Sequence, residues 1–212
     1  MLLSYSTSLR LNYLKQNYID KFLKDDSTFI TNETNHSYTS EQAKKVVSEE
    51  LYLEYKDNPP NGCIDKNGIR LSDRDSYVDL IKNVFWPINE ETIFWKGEYY
   101  TPPLKFALSS PLMWYKGKEK SPSVMGWHTN YMSPGRRLYF VWCEEDNKSY
   151  FKYVKDNRVY TRVERKGWQI NDFMIGDRDN PFFHSVYTET NRFSIGISTS
   201  HFYRENETTK FE

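Results

Sequence analysis

From about residue 92 onward the chain is cut into short apolar and aromatic runs, each closed by a turn signal. The runs are Thr92–Trp95, Leu104–Leu108, Arg137–Cys143, Ser149–Val154, Arg158–Glu164, Trp168–Ile175, Phe182–Thr188 and Arg192–Phe202. Between them stand Glu145-Asp146-Asn147, Lys155-Asp156-Asn157, Arg165-Lys166-Gly167, the cluster from Asp177 to Pro181, and Glu189-Thr190-Asn191. Most of these runs are too short for a stable helix and match the length of a strand, so their regular spacing predicts a β-sandwich or barrel. Composition agrees: aromatic residues make up 17% of the chain against 38% hydrophobic residues in total. Aromatic rings pack well on pleated, half-buried surfaces.

The front of the chain has a different period. Leu9, Leu11, Leu14, Tyr18, Ile19 and Phe22 predict an amphipathic helix over residues 8–24, stopped by Asp25-Asp26-Ser27. Residues 28–38 read as a polar loop. A second helix is predicted from Thr39 or Ser40, where Gln42 completes a capping box with Thr39. Its stripe is Ala43, Val46, Val47, Leu51 and Tyr55, and it ends before Asn58-Pro59-Pro60-Asn61-Gly62. A third helix is predicted from Ser72 or Asp73 through Tyr77, Leu80, Ile81 and Val84, stopping before Pro87. The class is therefore α+β: a helical region over 1–90 packed on a β domain over 91–205, with a tail at 206–212. At 212 residues the chain is long enough for one good core.

Charge and cysteine content narrow the partners. Lys plus Arg and Asp plus Glu are 29 each, so no net field steers the chain toward nucleic acid. Basic clusters at Lys116–Lys120 and Arg136-Arg137 read as solvated loop charge, or as a grip on an anionic substrate such as a nucleotide. The sequence shows no signal-peptide h-region and no long apolar span, which predicts a cytoplasmic protein away from membranes. Cys63 and Cys143 do not make a disulfide framework and predict a reducing compartment. Cys143 reads as a buried thiol and not a nucleophile.

Four histidines occur. His36 sits in a polar loop and His201 near the end of the last strand, and both are expected to be solvated. His128 ends the strand-like Val124–His128 and opens the triplet His128-Thr129-Asn130. His184 lies in Phe182-Phe183-His184-Ser185-Val186, and Arg192-Phe193-Ser194 follows after a short turn. His-x-Asn, a distant second His on a strand, then Arg-x-Ser resembles the iron(II)/2-oxoglutarate-dependent oxygenases, in particular small members encoded by bacteriophages. The resemblance spans roughly residues 92–202.

The resemblance implies a double-stranded β-helix, the jelly-roll or cupin-like barrel, with the N-terminal helices packed on it. It implies Fe(II) held by His128 and His184, with Asn130 at the position of the family's carboxylate. It further implies that 2-oxoglutarate is anchored through its far carboxylate by Arg192 and Ser194, with Tyr139 as an added donor. Arg offers the planar fork that carboxylate recognition needs. The family's activity is hydroxylation coupled to conversion of 2-oxoglutarate to succinate and CO2. For this chain a protein side chain, a nucleobase and a small metabolite all fit as substrate.

Asn130 departs from the pattern, because a carboxamide carries no charge to offset the metal's. Three outcomes follow: Asn130 ligates weakly, Glu144 or Asp172 reaches the site instead, or the site is degenerate. In the last case the chain is a jelly-roll module with a binding or structural role, including that of a virion or assembly component. A short His184-to-Arg192 spacing predicts a tight hairpin over Glu189–Asn191. Trp127, Trp142 and Trp168 are expected in ordinary aromatic core, with lining of a substrate pocket as the other reading.

Overall fold

The computed structural model describes residues 11–25, 37–63 and 113–198, and the backbone of four short strands between them. The first helical run, 11–24, passes through a π-helical turn at Lys15–Ile19 and ends in Asp20–Lys24; this run is α1. Helices α2 (Ser40–Val46) and α3 (Glu49–Tyr55) follow. The strands are β1 (Ile69–Arg70), β2 (Ile93–Trp95), β3 (Glu98–Tyr100), β4 (Ala107–Leu108), β5 (Met113–Lys116) and β6 (Ser123–His128). Then come β7 (Gly135–Cys143), β8 (Ser149–Lys155), β9 (Arg158–Glu164), β10 (Gly167–Ile175), β11 (His184–Thr188) and β12 (Asn191–Ser198).

These strands form two main antiparallel sheets. The larger runs β1-β5-β12-β7-β10, with β4 also on β12; the other runs β6-β11-β8-β9. The short pair β2–β3 stands apart as a third sheet. Between the main sheets lies an aromatic core built from Met113, Tyr115, Phe151 and Val186, with Met125, Tyr153, Phe173 and Phe182. Each outer face is covered by helix. Leu11, Leu14, Tyr18, Ile19 and Phe22 of α1 pack on Trp114, Phe140, Trp142, Phe193 and Ile195 of the larger sheet. Ala43 and Val47 cover Val124 and Tyr187 of the four-stranded sheet, and Tyr52 packs on Trp127 and Phe183. The three tryptophans thus belong to the core, Trp168 meeting Phe193 edge-on.

Local chemistry explains the turns. Asp156 and Asn157 both take positive φ, 51° and 55°, in the two-residue loop between β8 and β9. That is the twist a tight hairpin needs, and Asp and Asn tolerate it better than most residues. The capping box at Thr39 and Gln42 forms as the sequence predicts.

Several expectations are corrected. The second predicted helix is two helices, broken at Val47–Ser48. Ser48 caps α3 by accepting from the Leu51 amide at 3.2 Å, which competes with continuing α2. The carbonyls freed by the break are taken by side chains of the sheet: Lys152 Nζ donates to Val47 O at 2.9 Å and Trp127 Nε1 to Ser48 O at 2.6 Å. β5 lies outside the predicted strands. Glu189–Asn191 is no hairpin, because β11 and β12 belong to opposite sheets and the chain crosses between them. Arg137, read as loop charge, is buried. The third predicted helix, His36 and His201 fall outside the described residues. Among the described residues, no helix is long and apolar enough to cross a membrane.

Candidate functional site

His128 and His184 are neighbours in one sheet. Their Cα atoms are register partners across β6 and β11. The pairing shifts between His184 and Val186, so that Val186 opposes Met125. β6 therefore carries one residue more than β11 in this interval, which is a bulge. It lets Met125 and His128 both reach the interior while Trp127, between them, packs outward on Tyr52. The two imidazoles are buried, 4% and 3% exposed, with ring centroids 4.2 Å apart and planes at 52°.

Backbone carbonyls set both tautomers. His128 Nδ1 lies 2.8 Å from Gly126 O, and His184 Nδ1 lies 3.1 Å from Phe182 O. A carbonyl only accepts, so each Nδ1 carries the proton, and in a neutral ring that leaves Nε2 with the lone pair. Burial, then the neighbouring His128, and then Arg137 hold the His184 pKa well below the ordinary histidine value against the pull of Phe182 O. The ring is therefore neutral and ready to act as an acceptor or ligand.

Asn130 Nδ2 donates toward His184 Nε2 at 3.3 Å. Its loop is clamped by the breaker cluster of the N-terminal region. Thr129 N and Oγ1 both donate to Pro60 O at 3.0 Å, and Gly62 N donates to Thr129 O at 2.8 Å. Sequence reading took Pro59–Gly62 only as a helix stop and missed this second role.

The opposite sheet contributes Tyr139 and Arg137, two residues apart on β7 and so on the same face. Tyr139 lies 6.2 Å from the His184 ring, centroid to centroid. Its hydroxyl is buried and makes no hydrogen bond. Burial raises its pKa; the nearby Arg137 guanidinium opposes that rise, although the two groups do not meet in hydrogen-bond geometry.

Arg192 and Ser194 lie deeper along the same sheet. Arg192 is in register with Cys143, four residues past Tyr139 on β7, or about 14 Å along the strand at ~3.4 Å per residue. The guanidinium fork is filled from within: Arg192 Nε donates to Glu164 Oε2 at 2.7 Å and Nη2 to Oε1 at 3.0 Å. Ser149 Oγ and Asn171 Nδ2 complete the carboxylate's shell at 2.6 and 3.2 Å. Burial alone would raise the Glu164 pKa, but Arg192 and these donors together hold it below the usual carboxylate range. The expected clamp is thus already occupied by a protein carboxylate. Ser194 faces Tyr115, whose ring lies 5.2 Å from the Arg192 guanidinium carbon. Glu164 gave one faint signal in sequence, as an acid closing a strand just before a turn.

Neither alternative acid joins the histidines. Asp172 pairs with Arg136 at 2.8 Å, and Glu144 accepts from Asn191 Nδ2 at 2.7 Å beside the β11–β12 crossover. Cys143 is buried, and desolvation pushes its thiol up to about 12, so it is no nucleophile. Among the described residues no three His, Cys, Asp or Glu side chains gather as a metal cluster. The donor set is two imidazoles and a carboxamide, a combination that suits borderline transition metals more than Ca²⁺ or Mg²⁺.

No family model matches the chain, and no curated protein matches it. Among solved structures, a Drosophila melanogaster CENP-C cumin domain is similar at 10% identity and a TM-score of 0.28. The alignment covers 47% of this chain and 62% of that one, so this chain spans less than two thirds of it. A family 29 carbohydrate-binding module is similar at 11% identity and a TM-score of 0.24, over 51% of this chain and 74% of that one. The capsular polysaccharide assembling protein CapF of Staphylococcus aureus matches at 10% identity and a TM-score of 0.24, over 46% and 28% of the two chains.

Proposed function

We propose that the chain is a double-stranded β-helix of the iron(II)/2-oxoglutarate oxygenase type, binding a divalent transition metal through His128 and His184 with Asn130 alongside. Strand connectivity supports the fold part of this reading. From β5 to β12 the chain shuttles between the sheets, filling β5-β12-β7-β10 on one side and β6-β11-β8-β9 on the other. Apart from the β8–β9 hairpin, this alternation is the one an eight-stranded jelly roll requires, which supports the reading.

The observation that carries the metal reading is the paired tautomer. Both Nδ1 atoms lie against backbone carbonyls, which leaves Nε2 as the ligating atom of each ring, and the ring centroids are 4.2 Å apart. Pinning the outer nitrogen in this way is how proteins orient imidazole ligands. Asn130 already meets His184 Nε2, and turning its amide over would present Oδ1 to an ion in place of that hydrogen bond. In the oxygenase family the bound iron supplies oxygen activation coupled to oxidative decarboxylation of a 2-oxo acid. With no carboxylate ligand, the metal's charge is less compensated here and the affinity is reduced.

The test is a thermal-shift and metal-binding titration with Mn(II), and with Fe(II) under anaerobic conditions. Either metal should raise the melting temperature, and His128→Ala and His184→Ala should each remove the effect. Absence of a shift with both metals would overturn the reading. A second reading, a module without turnover that serves in binding or assembly, is favoured by Glu164 on Arg192 and by Asn130 itself. Succinate formation from 2-oxoglutarate by the iron-loaded wild-type chain decides against it. Turnover that appears only after Asn130→Asp decides for it.

A further inference from the structure

The outer edge of the four-stranded sheet is exposed and cationic. β9 ends the order β6-β11-β8-β9, so among the described residues no strand pairs with its far side. Arg158, Tyr160, Thr161, Arg162 and Val163 are all exposed. Asp156 and Asn157 form a two-residue turn of positive φ, so the flanking Lys155 and Arg158 make a hydrogen-bonded pair. Alternation then commits the backbone groups of Arg158, Tyr160 and Arg162 to β8 and turns those of Val159, Thr161 and Val163 outward. Side chains alternate as well, so Arg158, Tyr160 and Arg162 share one face, where Tyr160 stacks on Tyr153 at 5.6 Å. Among the described residues, no carboxylate pairs with the side chains of Arg158 and Arg162, nor with those of Lys155, Arg165 and Lys166 around them. Asp146 takes only the Lys166 backbone amide, and the strand's own acid, Glu164, is buried on Arg192.

Exposed edges are ordinarily blunted by proline, a bulge, shortness or charge. β9 has no proline and keeps unbroken register with β8 from Arg158 to Glu164. Charge is the device left, and charge selects the sign of a partner. A second copy paired antiparallel about Tyr160 would set Arg158 against Arg162 twice, and like charges directly opposite repel. A strand with carboxylates at those positions is attracted instead. We propose that β9 is a docking edge for an extended acidic segment of a partner protein, which adds antiparallel to this sheet. The outward groups of Val159, Thr161 and Val163 bond its backbone, while its carboxylates stand opposite Arg158 and Arg162 and an apolar side chain stands opposite Tyr160. The edge lies two strands from His184, and the inference does not rest on the metal reading.

The experiment titrates the full chain by calorimetry with the capped peptide Thr-Glu-Val-Phe-Val-Glu-Thr, with the same peptide carrying Lys for Glu, and with single-stranded oligothymidylate. The Glu peptide should bind saturably, and about tenfold more tightly than the Lys peptide. Its binding should slow hydrogen exchange at the Val159, Thr161 and Val163 amides. Thr161→Pro, which removes an outward donor and leaves the β8 ladder intact, should weaken it severalfold. The double variant Arg158→Glu with Arg162→Glu changes only exposed side chains and should prefer the Lys peptide. The proposal is overturned if the wild type shows no saturable binding of the Glu peptide, if it takes the Lys peptide as tightly, if those three amides exchange no more slowly, or if the double variant keeps the wild-type preference. Tighter binding of oligothymidylate than of the Glu peptide would also overturn it and assign the arginines to nucleic acid.

Discussion

Burial holds the His184 imidazole neutral, with His128 and Arg137 pushing the same way. In the unfolded chain a histidine takes its proton near pH ~6.5, while the folded ring resists until lower pH. The unfolded state therefore binds more protons in that window, so this contribution to stability is complete above about pH 6.5 and is lost as pH falls below it. For a chelator-treated sample, urea unfolding should show stability falling below that pH by up to about 1.4 kcal/mol per unit from this residue. His184→Gln should flatten the slope; an unchanged slope would assign it elsewhere. Glu164 acts in a lower window: its pKa is depressed in the fold, so its contribution is lost as pH falls through the carboxylate range. Its partner Arg192 is equally buried. Glu164→Gln alone should cost about 3–5 kcal/mol by stranding the guanidinium, while Glu164→Met with Arg192→Met should cost much less. A double-mutant cycle in urea measures that coupling.

Among the elements, the break between α2 and α3 is a docking device. It frees two carbonyls that Lys152 and Trp127 reach from the sheet, and it lets α3 seat Tyr52 on Trp127 with ring centroids 5.6 Å apart. Ser48→Ala should lower stability by about 1 kcal/mol through loss of the cap alone. Trp127→Phe, which keeps an aromatic ring but leaves the Ser48 carbonyl without its donor, should cost about 1–3 kcal/mol in the same assay. At the crossover from β11 to β12, Gly117 packs where a Cβ would collide with the Thr188 and Thr190 carbonyls. Gly117→Ala should therefore cost about 1–3 kcal/mol, since backbone on both sides has to give.

At the scale of the whole molecule, α1 is the lid on an aromatic face. Phe22 stacks on Trp114 at 5.1 Å, and the same patch contains Phe140, Trp142 and Phe193. Deleting residues 1–24 would uncover this patch, and contiguous exposed apolar surface favours association. The truncated chain should bind a hydrophobic dye and self-associate by light scattering; a dye-free monomer would show that α1 is dispensable as a cover. The helices also serve the site from a distance, because the loop after α3 ties Pro60 and Gly62 to Thr129 and so fixes where Asn130 stands. Loosening that tie by Thr129→Val, which removes one of the two donors to Pro60 O, should weaken Mn(II) binding more than it lowers the melting temperature.

Local rules reached as far as periodicity and punctuation extend. The strands β7 to β11 lay between readable turns, the capping box at Thr39 formed, and His128 and His184 stood on strands with inward-facing neighbours. What the residues alone left open was which strand lies beside which. Only the tertiary structure decided that the histidines share a sheet, that Glu164 fills the Arg192 fork, and that Arg137 is buried. The reason is physical: turn chemistry and side-chain alternation act over a few residues, whereas partners such as Glu164 and Arg192 are distant in sequence and meet only when two sheets close over a common core.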